Sequence, residues 1–259
     1  MSTETNAGRP RLIDNVTLRG AIARFAAHPN QPGALEVLRL CMYGDVLFDV
    51  TGSDAFTNGP FAKGSRLQIR RGTGPDHRSA LFVFTRHDEI NRLYPPGTQT
   101  QSLVTPATGA LELARRQGDA WLYVDPAGPT CALASAEIDF ALRNPNNGRL
   151  KHTLAGLDAG HTDRHTVLEL LRQDGPLLLA ADDAVPGTVR VHTMAHPDGS
   201  SSLLGFTSAP EVVAYHPDAA VAALTTQEVL NMVRAQAHSG IIINPAGPSI
   251  RFSATELFS

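Results

Sequence analysis

The feature that most limits how this chain can fold is internal: short patterns recur in the same order in its two halves. Each half opens on Asn-x-x-Leu-basic-x-x-aliphatic, read as Asn15, Leu18, Arg19 and Ile22 and again as Asn147, Leu150, Lys151 and Leu154. Asn is a favoured helix N-cap, and the aliphatics that follow it fall on one helix face. A second short helix follows each, over residues 34–42 and 166–173. Pro75-Asp76 then stands nine residues before Phe84-Thr85, and Pro197-Asp198 stands nine before Phe206-Thr207. Pro presets φ and Gly199 tolerates positive φ, so Pro197-Asp198-Gly199 predicts the turn of a β-hairpin between residues 188–194 and 202–206. Residues 65–71 and 80–84 form the matching hairpin. Last, Asp125-Pro-Ala-Gly-Pro and Asn244-Pro-Ala-Gly-Pro each follow an apolar strand, at 120–124 and 240–243. Each loop precedes a Glu-aliphatic pair at equal distance, Glu137-Ile138 and Glu256-Leu257. Any one match is chance; an ordered set at nearly fixed spacing is duplication.

The repeated module reads as two helices, a strand (residues 46–50 and 177–180), a hairpin, a helix, a strand, a helix and a final strand. The helix after Phe-Thr is expected over 88–94 and 210–215, with Thr85 or Ser208 as its cap and Ser208 with Glu211 at capping-box spacing. Thr105 before Pro106, and Thr225 with Glu228, mark the start of the later helix. Phe84 and Phe206 are expected to plug the core, and the Pro-Gly loops to reverse the chain between strands. Several connection types, rather than strict βαβ alternation, predict an α+β fold of two tandem modules, each a mixed sheet with helices. Their expected extents are 12–140 and 145–259, joined by a short ordered linker at 144–148 and preceded by a polar, disordered stretch, 1–11.

These anchors resemble the SseB family, bacterial proteins named for enhanced serine sensitivity. The likeness lies in the Asn-x-x-Leu helix, in Phe206-Thr207-Ser208 and in the strand ending on Asn244-Pro245 with small residues after it. The second copy matches better than the first, which has Phe84-Thr85-Arg86 and Asp125-Pro126 instead. The resemblance implies the two-copy layout and, from relatives in secretion or toxin settings, interaction roles. It carries no reaction and no active-site residues across.

Composition narrows the function classes. The net charge is −3 with a sequence pI near 6.3, which argues against a general nucleic-acid or anionic-membrane binder. Arg66, Arg70 and Arg71 suit the solvated face of a strand better than a phosphate site. Cys41 and Cys131 sit among apolar neighbours and form neither a disulfide framework nor a metal motif. The polar N-terminus lacks the apolar core of a signal peptide and no run reaches membrane-spanning length, so a cytoplasmic protein is expected. Of 22 basic residues only Lys63 and Lys151 are lysine, a bias that suits a GC-rich bacterial genome such as an actinomycete's.

Several side chains could carry chemistry, and each also has a plainer role. His161 with His165, and His192 with His196, have the four-residue spacing of a helical metal pair. The first pair opens in a connecting segment and His192 lies on an expected strand, so loop or surface histidines are the expectation. Asp182 and Asp183 follow a buried run and could act as acid and base or bind metal; adjacent Asp residues more often start a polar turn. Gly72-Thr73-Gly74 lacks the Lys-Ser/Thr of a phosphate loop and reads as a hairpin turn. Ser200-Ser201-Ser202 has no nucleophile-elbow context, and Cys41 no sign of activation.

No catalytic set, metal site or cofactor is therefore expected, and Asp182, Asp183, His161 and His165 stand as the polar candidates. The reading is a non-catalytic protein-interaction or regulatory module whose partner is another protein, with room for a homo-oligomer and with neither nucleic acid nor membrane. The alternative is a small-ligand binder or enzyme that uses a cleft between the modules.

Overall fold

The computed structural model describes residues 13–54, 66–182 and 190–259. The expected disordered stretch 1–11, the hairpin positions Ser65, Thr188 and Val189, and the candidate Asp183 lie outside the described residues.

The first copy supplies helices α1 (Val16–Ala27) and α2 (Gln31–Leu40), strand β1 (Asp45–Asp49) and the hairpin β2 (Arg71–Thr73) and β3 (Ser79–Val83). Helix α3 (His87–Asn91), strand β4 (Ser102–Pro106), helix α4 (Ala107–Gln117), strands β5 (Trp121–Val124) and β6 (Cys131–Ala134) and helix α5 (Ser135–Arg143) follow. The second copy repeats the order with α6 (Gly148–Asp158), α7 (Arg164–Arg172), β7 (Pro176–Asp182), the added β8 (Arg190–Val191), then β9 (Thr193–Ala195) and β10 (Ser201–Gly205). It closes with α8 (Ala209–Tyr215), β11 (Ala220–Thr225), α9 (Thr226–Ala235), β12 (Gly240–Ile243), β13 (Ile250–Ser253) and α10 (Ala254–Phe258).

Both copies have one topology. In the first, the strand order is β2-β3-β5-β6, with β3 parallel to β5 and antiparallel neighbours outside them. In the second it is β9-β10-β12-β13, with β10 parallel to β12. A second, antiparallel layer pairs β1 with β4 and β7 with β11. Single bridges, Leu47 to Phe84 and Leu178 to Phe206, join the layers at the same place. The fold is α+β, built of two similar modules. Asp45–Ser135, with the chain up to Pro29, makes one compact unit; Ala136–Ser259 makes the other together with Asn30–Gly44. Helix α2 thus belongs to the second unit although it precedes β1 in the chain.

Burial explains why these segments form these elements. Along β7, Leu177 and Leu179 enter one core cluster and Leu178 and Ala180 another, the two-residue period of a strand covered on both faces. Leu150 and Leu154, one turn apart on α6, pack into the first of these clusters. Phe84 and Phe206 are fully buried, as expected of plugs at the strand ends. Both cysteines are buried.

Local expectations were met unevenly. The capping box at Thr225 and Glu228 forms as predicted. Thr105 does not cap α4: its backbone is held in register with Val46 of β1, and Pro106 becomes the N-cap residue. Gly72 and Thr73 lie on β2 rather than in the turn, which falls at 74–77. A Cβ at Gly72 would stand 2.1 Å from the Phe82 ring, so aromatic packing requires the glycine. In the second hairpin Gly199 takes φ +81 at its turn, the chemistry read from the sequence.

Candidate functional site

The recurrent residues meet around one frame, best followed from the helix start. Asn15 Oδ1 accepts from the Leu18 amide at 3.1 Å while its Nδ2 donates to the Asp45 carbonyl at 3.0 Å. Asn147 does the same with the Leu150 amide (3.0 Å) and the Pro176 carbonyl (3.1 Å). The two amide ends face opposite demands, so Asp could not replace Asn at either site. Each Asn backbone N–H also donates to the Thr of Phe-Thr, at 2.9 Å to Thr85 and 2.8 Å to Thr207.

Those threonines tie the frame to the Pro-Ala-Gly-Pro loop. The Thr85 amide and hydroxyl donate to Asp125 Oδ1 (2.9 Å) and Oδ2 (2.7 Å). The Thr207 amide donates to Asn244 Oδ1 at 2.9 Å, and Asn244 Nδ2 donates to the Thr207 hydroxyl at 2.9 Å. Asp125 and Asn244 both stand in the left-handed region (φ 53 and 50), which Asx side chains tolerate best among non-glycine residues. Burial raises the Asp125 carboxyl to about 6, against the lowering effect of its Thr85 hydrogen bonds and with a further push from Glu89. Asn244 holds the same place with no charge.

One turn into the next helix stands a glutamate in each copy, and here the copies part. Glu211 is 1% exposed. Its Oε2 accepts from Arg39 Nε (3.0 Å) and Nη2 (2.7 Å), and its Oε1 from Lys151 Nζ (2.5 Å). Lys151 also donates to the Arg39 carbonyl at 2.5 Å, closing the C-terminus of α2, and its amine lies 5.4 Å from the centre of the Tyr43 ring. Glu36 takes the remaining face of the guanidinium at 2.5 Å. Burial alone would raise Glu211, but Lys151 and Arg39 hold it below the usual carboxylate range. Two cations share that one buried carboxylate, and burial pushes the Lys151 amine below the ordinary lysine range despite Glu211. A small pocket between Tyr43, Lys151, Ala155 and Pro248 has a volume of about 20 Å³, room for a water molecule.

In the first copy Glu89 is also buried, but it is served by its own helix, accepting from Arg86 Nε (2.9 Å) and Arg92 Nη1 (2.7 Å). Those arginine side chains are 30% and 47% exposed, so water supplies part of their solvation. Arg19, which stands where Lys151 does, turns outward to Asp14.

The loop glycine serves both arrangements. A Cβ at Gly247 would lie 2.2 Å from Arg39 Nη2 and 3.3 Å from Glu211 Oε2; one at Gly128 would lie 2.7 Å from Arg92 Nη1 and 3.3 Å from Glu89 Oε2. Pro-Ala-Gly-Pro therefore does more than reverse the chain. It seats an arginine over a buried glutamate, twice.

A model of the SseB protein N-terminal domain matches this chain over residues 18–139 and again over 150–259. The chain belongs to the SseB family. No curated protein and no solved structure matches it. The two SseB matches begin within a few residues of the two capping asparagines and take in both Thr-Asx-Glu-Gly frames.

Set beside this SseB frame, the residues expected to be polar candidates lie elsewhere. Asp182 ends β7, with its Oδ1 2.7 Å from His192 Nε2; the His192 ring meets His216 edge-on at 5.0 Å. His161 is exposed in the bend after α6, and His165 is exposed on α7 with its Nε2 3.6 Å from Glu169. Asp182 and His165 thus have separate partners. Among the described residues no group of three or more His, Cys, Asp or Glu is placed to hold a metal ion. Arg70 and Arg71 are drawn to acids and a tyrosine, Arg70 to Tyr94 (2.9 Å) and Arg71 to Asp119 (2.6 Å), rather than standing free on a strand face.

Sequence reading missed the buried cluster. Ser208 and Glu211 have the spacing of a capping box, yet Ser208 makes no side-chain cap and its buried hydroxyl has no hydrogen-bond partner. The carboxylate turns instead to Arg39, 172 residues away in sequence. One signal existed: Lys151 is one of only two lysines in a chain that otherwise uses arginine. Also missed was a hydroxyl–imidazole contact. Ser201 Oγ lies 2.9 Å from His238 Nδ1, whose Nε2 lies 3.1 Å from Gln236 Oε1, and burial holds His238 below the usual histidine range.

Proposed function

We propose that this SseB-family chain is a non-catalytic protein-interaction or regulatory module. The observation that carries this reading is the use made of the charged cluster: Arg39, Lys151 and Glu211 are spent on fastening helix α2 against α8. Both carboxylate oxygens are occupied by cations, which leaves Glu211 unsuited to proton transfer. A frame of this kind holds a helix; it does not turn over a substrate. No helix among the described residues is long and apolar enough to cross a membrane. The test is reciprocal affinity purification from the native cell. One protein should co-purify with the tagged chain and should retrieve the chain when it carries the tag. Failure in both directions at high bait concentration removes the reading.

A second reading, small-ligand binding or catalysis, draws on the Ser201–His238–Gln236 contact, because a neutral imidazole beside a hydroxyl is the arrangement that activates a nucleophile. Labelling of Ser201 by a fluorophosphonate, lost in His238→Ala, would favour it over the interaction reading.

A further inference from the structure

We propose that two copies of this chain associate through strand β4, paired antiparallel with itself about Leu103. This goes beyond the partner-protein reading and stands apart from it, because the purified chain alone decides it.

Part of the backbone around β4 is already hydrogen-bonded. Leu47 exchanges both of its backbone hydrogen bonds with Phe84 of the other layer, at 2.8 and 2.9 Å. Antiparallel ladders alternate, so Val46 and Phe48 direct their groups to Thr105 and Leu103 of β4, and the pair Leu47–Val104 is of the non-bonded kind. The Val50 amide bonding to the Gln101 carbonyl at 3.0 Å keeps the same alternation. Ser102 and Val104 therefore turn their N–H and C=O away from β1. On that side β4 is outermost in its sheet, and no described strand pairs with it.

Exposed edges are normally protected by charge, above all by lysine. Here that charge is missing: no charged side chain occurs anywhere from residue 93 to residue 111. Val104, at the middle of the open edge, is 49% exposed. An edge of this kind calls for an extended strand, and its charge pattern selects the second copy. In a two-fold antiparallel pair, like faces like near the axis, so any charge there repels its own image. A strand flanked on both sides by neutral residues meets that condition. The matching edge of β11 turns Val221 and Ala223 outward, but its exposed residue is the smaller alanine and Asp218 stands two residues before the strand.

The open groups also fix the register. Pairing Ser102 with Val104 of the second copy, and Val104 with its Ser102, uses every open donor and acceptor within the strand. A shift that pairs Ser102 with Pro106 would waste an acceptor, because proline has no N–H. Leu103 then faces Leu103 of the second copy across the axis. A single added strand pair buries little area, so the dimer is expected to form in the micromolar range.

Sedimentation velocity on the purified full chain, across micromolar concentrations, is the test. The wild type should pass from monomer to dimer, and Val104→Lys should weaken dimerisation by about tenfold or more. Val104→Thr should retain the dimer, and Ala223→Lys should leave it unchanged. Melting temperatures equal to wild type will show that the variants are folded. Leu103→Cys should give a disulfide-linked dimer under mild oxidation, a result the buried Cys41 and Cys131 would not produce. A wild type that stays monomeric overturns the proposal, as does a Val104→Lys dimer of unchanged affinity or a dimer broken by Ala223→Lys instead.

Discussion

Glu89 and Glu211 occupy equivalent places in two copies of one fold and live in different solvents. Around Glu211 the helix reads Ala209, Pro210, Val212, Val213 and Ala214, small and apolar, and α2 packs upon it. Around Glu89 it reads His87, Asp88, Asn91 and Arg92, which keeps that face wet and supplies a cation from the same helix. The frame of Asn, Thr, Asx and Gly is common to both. What differs is whether the charge on the glutamate is balanced by residues that can retreat into water. A buried carboxylate whose partners cannot retreat is costly to disturb, and one whose partners can is not.

The largest expected effect follows from that contrast. Glu211→Gln leaves Arg39 and Lys151 buried without their counter-charge and should cost about 3–5 kcal/mol in urea unfolding followed by circular dichroism. Glu89→Gln releases half-exposed arginines and should cost about 1 kcal/mol or less. Equal losses would break the comparison. Trp121, the one tryptophan, lies on β5 of the first unit, so its fluorescence reports the Glu89 variant more directly than the Glu211 variant.

Next in size is the Asx position. The Asp125 carboxyl is raised from 3.8 to about 6 in the folded chain, so folding favours its protonated form. Its contribution is complete below the unfolded value and is lost as pH rises through the folded one. Wild type should therefore lose about 2–3 kcal/mol relative to Asp125→Asn between roughly pH 4 and pH 6. Above that window the variant, now matching Asn244, should be the more stable. A difference between the two proteins that stays constant with pH would show that Asp125 is not raised.

The glycines give a smaller test. Gly247→Ala presses on an arginine fixed from both sides and should cost about 1–3 kcal/mol. Gly128→Ala presses on Arg92, which is free to swing outward, and should cost less than about 1 kcal/mol. Smallest of all is Val104→Lys, which should alter stability by no more than about 0.5 kcal/mol while acting on association.

Most of the architecture was legible in the sequence because it rests on local chemistry repeated twice. Asn at a helix start, Pro-Asp-Gly at a turn and apolar runs at strand length each declare themselves within a few residues. Thr105 misled because pairing with β1 overrode a good local start signal. The charged cluster was not legible for a related reason. Ser208 and Glu211 have capping-box spacing, and only the position of α2, far off in sequence, shows that the carboxylate has a stronger partner than a backbone amide. The Ser201–His238 contact likewise depends on β10 lying parallel to β12, a pairing that short-range patterns do not encode.

Helix α2 bears on how this protein can be divided. A cut between the copies, the natural place to judge from the repeat, would give a second fragment with its glutamate and lysine but without the arginine that completes them. The second compact unit is discontinuous along the chain. Residues 30–44 would have to be joined to the C-terminal half, for instance by circular permutation, before that half could be handled alone. Two copies arose by doubling a segment, yet they are no longer interchangeable parts: the first has lent the second helix α2 and nearly all of α5.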